Sequence, residues 1–251
     1  MLLDLLTVAG SGNVEELADQ LDVSHATIRR DLHVLAQAGH VLRTHGGAVL
    51  PYASAAFEPL HQEKRSLQAR AKVAIARLAA RVVNDGDVVV LDSGSTTLAL
   101  AAELRTKRAL TVITSDLKIA LEFATTGAHE VIVTGGRVRA QLFSLIGPMA
   151  ETGLKQLHGD HAFLGADAID LERGVTNANV DEAAVKRRAL ASCRRATLLA
   201  DHSKFDRVSL AHVCPLDAFD AIVTDDGIDQ ACYDRYQRAG VPITLAGEEE
   251  P

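Results

Sequence analysis

The chain has 251 residues, 47% hydrophobic and 24% charged, with 26 Lys and Arg against 33 Asp and Glu for a net charge of −7. That mix fits one small and one large globular domain and excludes a protein that holds nucleic acid by bulk positive charge alone. No run of about 18 apolar residues offers a membrane span, the Met1-Leu2-Leu3-Asp4 start carries no basic segment, and Cys193, Cys214 and Cys232 form no CxxC pair for a disulfide or zinc framework; a cytoplasmic protein with buried thiols and no membrane contact is expected.

Leu2, Leu3, Leu5, Leu6 and Ala9 make an apolar helical stripe that stops at the turn residues Gly10-Ser11-Gly12-Asn13. Val14, Leu17, Ala18 and Leu21 repeat the helical spacing, with Asn13 as N-cap and Glu15 and Glu16 favouring the first turn. After a break at Asp22-Val23, Ser24 can cap a third helix through the Thr27 N–H, and Ile28, Leu32 and Leu35 give that helix a buried stripe ending at Gly39. Residues 40–49 read as a β-hairpin wing and residues 51–59, bounded by prolines, as a linker.

Residues 14–32 therefore have the spacing of a helix-turn-helix, with Ala18 at the helix crossing and Asp22, which tolerates left-handed geometry, at the turn. Small and polar residues (Ser24, His25, Thr27) open the second helix and Arg29 and Arg30 follow, which suits entry of its N-terminus into the major groove of double-stranded DNA. Arg43, Thr44 and His45 occupy the wing, where phosphate or the minor groove is in reach. Blander readings stand beside these: Ser24 as a cap only, Arg30 paired with an acid of the preceding helix, the wing as a solvated hairpin. Residues 1–50 carry three arginines against six acids, so any DNA contact has to come from local clustering of charge. The histidines His25, His33, His40 and His45 lack the spacing and partners of a metal site.

Beyond the linker, residues 61–83 read as one long Ala-rich amphipathic helix. Short apolar runs follow at 88–91, 111–114, 130–134, 161–164, 197–200, 221–224 and 242–246, most of them leading through a Gly- or Asp-bearing loop into a helical segment. The pattern predicts an α/β domain over 60–251 whose mostly parallel sheet is covered by helices on both faces, with ligands at the carboxyl ends of its strands.

The motifs Val14-Glu15-Glu16-Leu17-Ala18, Val23-Ser24, Thr27-Ile28-Arg29-Arg30-Asp31-Leu32 and Arg43-Thr44-His45-Gly46-Gly47-Ala48 resemble the DeoR family of bacterial repressors. The similarity continues through Asp92-Ser93-Gly94-Ser95-Thr96-Thr97, Gly135-Gly136, Phe163-Leu164-Gly165-Ala166-Asp167 and Asp201-His202-Ser203-Lys204-Phe205. It implies a winged helix-turn-helix joined to a sensor domain similar to ribose-5-phosphate isomerases, a repressor of sugar or polyol catabolism, and a phosphorylated sugar or polyol as effector. Two departures stand out: Thr114-Ser115-Asp116 where the family usually has Thr-Asn, and no basic stretch before the first helix, which puts some DNA or dimer contacts, or the position of the start codon, in question.

Within the sensor domain, Asp92, Ser93, Gly94, Ser95, Thr96 and Thr97 leave an apolar strand and open a helix, where a glycine turn, hydroxyls and free N–H groups suit a phosphate; the alternative is that Ser95 or Thr96 merely caps the helix. Thr114 and Gly135 end later strands, and Arg137 or Lys204 could neutralise an anion. Asp167 is the candidate acceptor for ligand hydroxyls. Glu182 and Lys186 are effector candidates that could equally form an ordinary i,i+4 ion pair. An isomerase-like enzyme using Asp167, Asp170, Glu182 and Lys204 is the competing reading; the helix-turn-helix and the missing glycine-rich basic loop with its glutamate weigh against it, and acidic net charge weighs against an architectural DNA binder. No catalytic residue, metal or cofactor is expected, and the chain is expected to work as a dimer or tetramer spanning half-sites about 34 Å or a multiple apart.

Overall fold

The computed structural model describes residues 2–9, 11–37, 41–43, 46–49, 61–140 and 142–247. Contacts divide the chain into two compact units, Met1–Pro59 and Leu60–Pro251. The expected linker, the wing residues Thr44 and His45, and the expected helix end at Gly39 lie outside the described residues.

The first unit comprises α1 (Leu2–Ala9), β1 (Ser11–Asn13), α2 (Val14–Leu21), α3 (His25–Gln37), β2 (Leu42–Arg43) and β3 (Gly47–Val49). Its core gathers Leu6, Val14, Leu17, Ala18, Ile28, Leu32, Val41 and Ala48, the residues that helical spacing aligned on one face together with two from the wing. Asn13 caps α2 by accepting the Glu16 N–H at 2.7 Å. Asp22 closes α2 at φ +52°, the left-handed conformation in which its N–H meets the Ala18 and Asp19 carbonyls.

The segment Ser11–Asn13 corrects the reading of residues 10–13 as a turn. It is a strand, antiparallel to β3, which also pairs with β2, so the wing is a three-stranded sheet. Two glycines make this possible. A Cβ on Gly47 would stand 2.1 Å from the Gly12 carbonyl oxygen, so only a residue without a side chain lets these backbones close on each other.

The second unit begins with α4 (His61–Ser66) and α5 (Ala69–Ala80), where a single helix over 61–83 was expected. The chain breaks at Gln68, whose φ is +51°, and the buried Lys72 amine donates to the carbonyls of Lys64 and Leu67 that the break leaves open. Then come β4 (Val88–Leu91), α6 (Ser95–Leu104), β5 (Thr111–Thr114), α7 (Leu117–Ala124), β6 (Glu130–Val133), β7 (Arg137–Val138), β8 (Leu145–Ile146) and α8 (Pro148–Lys155). The chain continues as β9 (Gly159–Gly165), β10 (Ala168–Asp170), β11 (Gly174–Asn177), α9 (Val180–Ala191), β12 (Cys193–Leu199), β13 (Ala211–Cys214), β14 (Ala221–Asp225), α10 (Gln230–Arg238) and β15 (Ile243–Ala246).

Each of the seven apolar runs lies in a strand of one sheet, ordered β15-β14-β12-β9-β4-β5-β6 and parallel throughout. Side-chain alternation sends Val89 and Leu91 of β4 to one face, with Ile75, Leu100 and Phe123 of α5, α6 and α7. Val90 goes to the other, with Leu154, Ala183 and Tyr236 of α8, α9 and α10. A small antiparallel sheet, β10-β11-β13, and the hairpin β7-β8 lie outside the seven runs; their strands are too short for their alternation to stand out. Asp170, read as part of a strand-end loop, ends β10 and accepts the Glu172 and Arg173 N–H groups at the hairpin turn.

Strand order matters for function. After β4 the chain adds β5 and β6 on one side and then returns to place β9 and β12 on the other. The carboxyl ends of β4 and β9, at Asp92 and Gly165, therefore flank the switch point where open parallel sheets hold ligands.

Candidate DNA-reading face and effector site

On the first unit, α3 presents His25, Arg29 and Arg30 to solvent. Ser24 accepts the Thr27 N–H at 3.1 Å and its hydroxyl lies 2.9 Å from that of Thr27, so both hydroxyls help start the helix. Arg30 remains exposed and makes no ion pair among the described residues. Arg43 of β2 donates through Nη1 to the Arg29 carbonyl at 3.2 Å, which lays a wing arginine alongside the two on the helix. Arg29, Arg30 and Arg43 are all exposed, and the contact of Arg43 with α3 keeps these three cations of an acidic chain in one region of the unit.

In the second unit, α6 starts at Gly94 with no side chain capping it. Thr97 donates its hydroxyl backward to the Gly94 carbonyl at 2.9 Å. Ser95 and Thr96 therefore do not act as the cap, and the first N–H groups of α6 meet no side-chain cap, while the Gly94 N–H before them turns to Asp116. Ser93 gives its hydroxyl to Asp116 at 2.8 Å. Asp116, fully buried, also caps α7 by accepting from Lys118 and Ile119, and burial pushes its carboxyl above the usual range against those hydrogen bonds. Thr114 is spent between strands, donating to the Leu91 carbonyl at 2.7 Å and accepting the Asp116 N–H at 3.0 Å.

Across the switch point, Asp92 Oδ2 accepts the Gly165 N–H at 3.0 Å and pairs with the Lys186 ammonium, which also donates to the Gly165 carbonyl at 3.0 Å. Both side chains are buried. Burial works against the Lys186 ammonium, but Asp92, with Glu182 and Asp167 farther off, outweighs it and holds the amine above its ordinary range.

Glu182 and Lys186 thus do not pair with each other, the cheaper of their two readings. Glu182 Oε1 meets Arg139 at 2.6 Å and takes the Ser144 hydroxyl, while Oε2 accepts from Asn177 at 3.1 Å. Burial raises its carboxyl, yet Arg139, Lys64, Ser144 and Lys186 more than offset this and leave it below its ordinary value. The reason is geometric: both residues point into the sheet end, where separate buried partners stand closer than a neighbour one helical turn away.

Asp167 lies between β9 and β10, with Oδ1 3.0 Å from the Lys64 amine and Oδ2 accepting the Ala178 N–H at 3.0 Å. Burial is again overruled, by Lys64 first, and the carboxyl is held well below its ordinary range. Lys204 sits in the 3-10 turn His202–Lys204, which Asp201 caps through the Ser203 N–H. The Lys204 amine makes no hydrogen bond or ion pair among the described residues; burial depresses it, Asp201 opposes this, and Lys64 adds to the depression. Gly135 turns the chain after β6 at φ +73°, and Arg137 beyond it pairs with Asp181 at the surface.

Asp92, Asp167, Glu182 and Lys186 are linked by direct contacts or shared charge, and Lys204 lies in the field of Asp167, while Ser93–Thr97 join the group through their place in the chain after Asp92. Sequence reasoning missed Lys64, Asp116, Arg139, Ser144 and Asn177. The rule that loops at strand ends carry chemistry pointed at Asp116, directly after β5. Lys64 is 103 residues from Asp167, and nothing local marks it.

The matching family models are a DeoR-like helix-turn-helix domain over residues 1–53 and a DeoR C-terminal sensor domain over 67–226. The chain is 35% identical, over 98% of its length and 96% of the relative's, to the HTH-type transcriptional regulator GolR of Listeria innocua. It is 34% identical, over 90% of its length and 89% of the relative's, to the lactose phosphotransferase system repressor of Lactococcus lactis. Among solved structures, ribose 5-phosphate isomerase A from Methanocaldococcus jannaschii matches 53% of each chain with 18% identity and a TM-score of 0.39. An N-terminal helix-turn-helix reader and a C-terminal sensor domain, both matched in order along one chain, make this protein a member of the DeoR family of transcriptional regulators.

Proposed function

We propose that the protein represses a sugar or polyol catabolic operon in the cytoplasm and is relieved by a phosphorylated metabolite bound at the β4–β9 switch point. The observation that carries this reading is the start of α6 at Gly94–Thr97, which no side chain caps; the half-buried Lys204, without an ion pair among the described residues and in the field of Asp167, supports it. Helix N–H groups and an unneutralised amine together favour a dianionic phosphate. Asp167 would then accept hydrogen bonds from ligand hydroxyls. The lactose phosphotransferase system repressor, similar over nine-tenths of the chain, supports carbohydrate control.

The chain is read as a regulator without catalytic activity or cofactor. Asp167 and Glu182 are held below their ordinary carboxyl range by cations, which makes them weak bases, and Lys186 is held as an ammonium. Two copies, or a pair of dimers, would place α3 helices in successive major grooves of operator DNA.

The test is operator affinity at fixed salt across phosphorylated sugars and polyols and their unphosphorylated parents. Release by one phosphorylated compound and not by its parent is the expected result; affinity that never changes across the panel defeats the sensor reading. Turnover of any tested sugar phosphate would restore the isomerase reading.

A further inference from the structure

Lys64 stands apart from the other site residues because of where its helix begins. α4 opens at His61, two residues past the boundary between the two units at Pro59. It is six residues long and is followed by the left-handed Gln68. One end of it is held by the Lys72 amine on the carbonyls of Lys64 and Leu67. The Lys64 side chain, meanwhile, reaches Asp167 at the end of β9, each partner 17% exposed. A short helix of this kind has little stability of its own and depends on such contacts.

We propose that the Lys64–Asp167 ion pair is the latch through which effector occupancy reaches the DNA-reading unit. This rests on the effector reading given above. A phosphorylated polyol carries both groups needed to open the latch: hydroxyls that bond Asp167, and a phosphate that competes for the Lys64 amine. Once each partner has a ligand atom instead of the other, α4 loses its ion pair to the end of β9 while the Lys72 anchor persists, and the connection to the first unit starts from a loosened helix. The ligand acts by its differential affinity for the open state, and coupling of this kind typically spans about 5- to 150-fold in affinity.

The proposal is tested on the full chain without any effector, using the DNA duplex that the wild-type protein selects from a random pool. Lys64→Met and Asp167→Asn break the latch from opposite sides, and the asparagine keeps an acceptor for the Ala178 N–H. Both are expected to speed hydrogen exchange over residues 61–67 while protection of the central strands persists, and to weaken duplex binding by about fivefold or more. Lys64→Arg should recover part of the loss, and Arg65→Ala, which removes an exposed cation from the same helix, should bind as the wild type does. Faster exchange in α4 with unchanged duplex affinity overturns the coupling, and unchanged exchange in α4 overturns the latch itself. If Lys64→Met also loses protection in the central strands, Asp167→Asn decides by the same two readouts. A wild-type chain that selects no duplex defeats the repressor reading, and this inference with it.

Discussion

At the residue scale, two kinds of charge do different work. Arg29 and Arg30 are exposed on α3 and make no ion pair among the described residues, so their alanine variants should fold with unchanged melting while each loses about 1–3 kcal/mol of operator affinity if it reads a guanine. An electrophoretic mobility titration beside a thermal melt checks both halves of that statement. Lys72 is the opposite case, a cation buried at 5% exposure to hold the end of α4. Burial lowers its pKa from 10.5 to about 8, partly offset by Asp201. Between those values the unfolded chain binds the proton more tightly than the folded one, so stability should rise as pH climbs through about 8 to 10.5, by up to about 3 kcal/mol. Urea unfolding of wild type and Lys72→Met across that window should show the slope in the first and a flatter profile in the second.

At the element scale, most helices and the seven strands of the main sheet follow from local patterns, and two segments depart from them. Ser11–Asn13 are turn-forming residues but become β1 because β3 offers a glycine at the point of closest approach. Residues 61–83 have continuous helical spacing, yet they split where a buried lysine on α5 recruits the carbonyls of Lys64 in α4 and Leu67 just after it. In the first, a strand distant in sequence overrides the local preference; in the second, a side chain on the next helical segment does. Gly47→Ala should therefore force β1 and β3 apart, since its Cβ meets backbone atoms that cannot swing away. The expected outcome is loss of operator binding and of the first unit's exchange protection, with the second unit's protection unchanged in hydrogen exchange.

For the whole molecule, the chain divides into two compact units, the second built on a seven-stranded sheet whose order turns at β4–β9. A phosphorylated effector that binds only the folded second unit should stabilise it by about 2.7 kcal/mol at a hundredfold excess over its Kd. Differential scanning calorimetry should place that gain in the second unit's transition. Lys204→Met should abolish the gain and leave duplex binding in the absence of effector intact. A gain that survives the substitution would remove Lys204 from the phosphate site.

The sequence by itself determined the two-part organisation, the helix-turn-helix, seven parallel strands to within a few residues at their ends, and the strand-to-helix turn at Asp92–Thr97. All of these are encoded in side-chain periodicity, glycine placement and capping within short windows. Only the tertiary structure decided which strand lies beside which, and hence that Asp92 meets Gly165 and Lys186, that Glu182 turns to Arg139 instead of Lys186, and that Lys64 reaches Asp167. Strand order and buried ion pairs are set by which distant surfaces exclude water together, and no local pattern of residues carries that information.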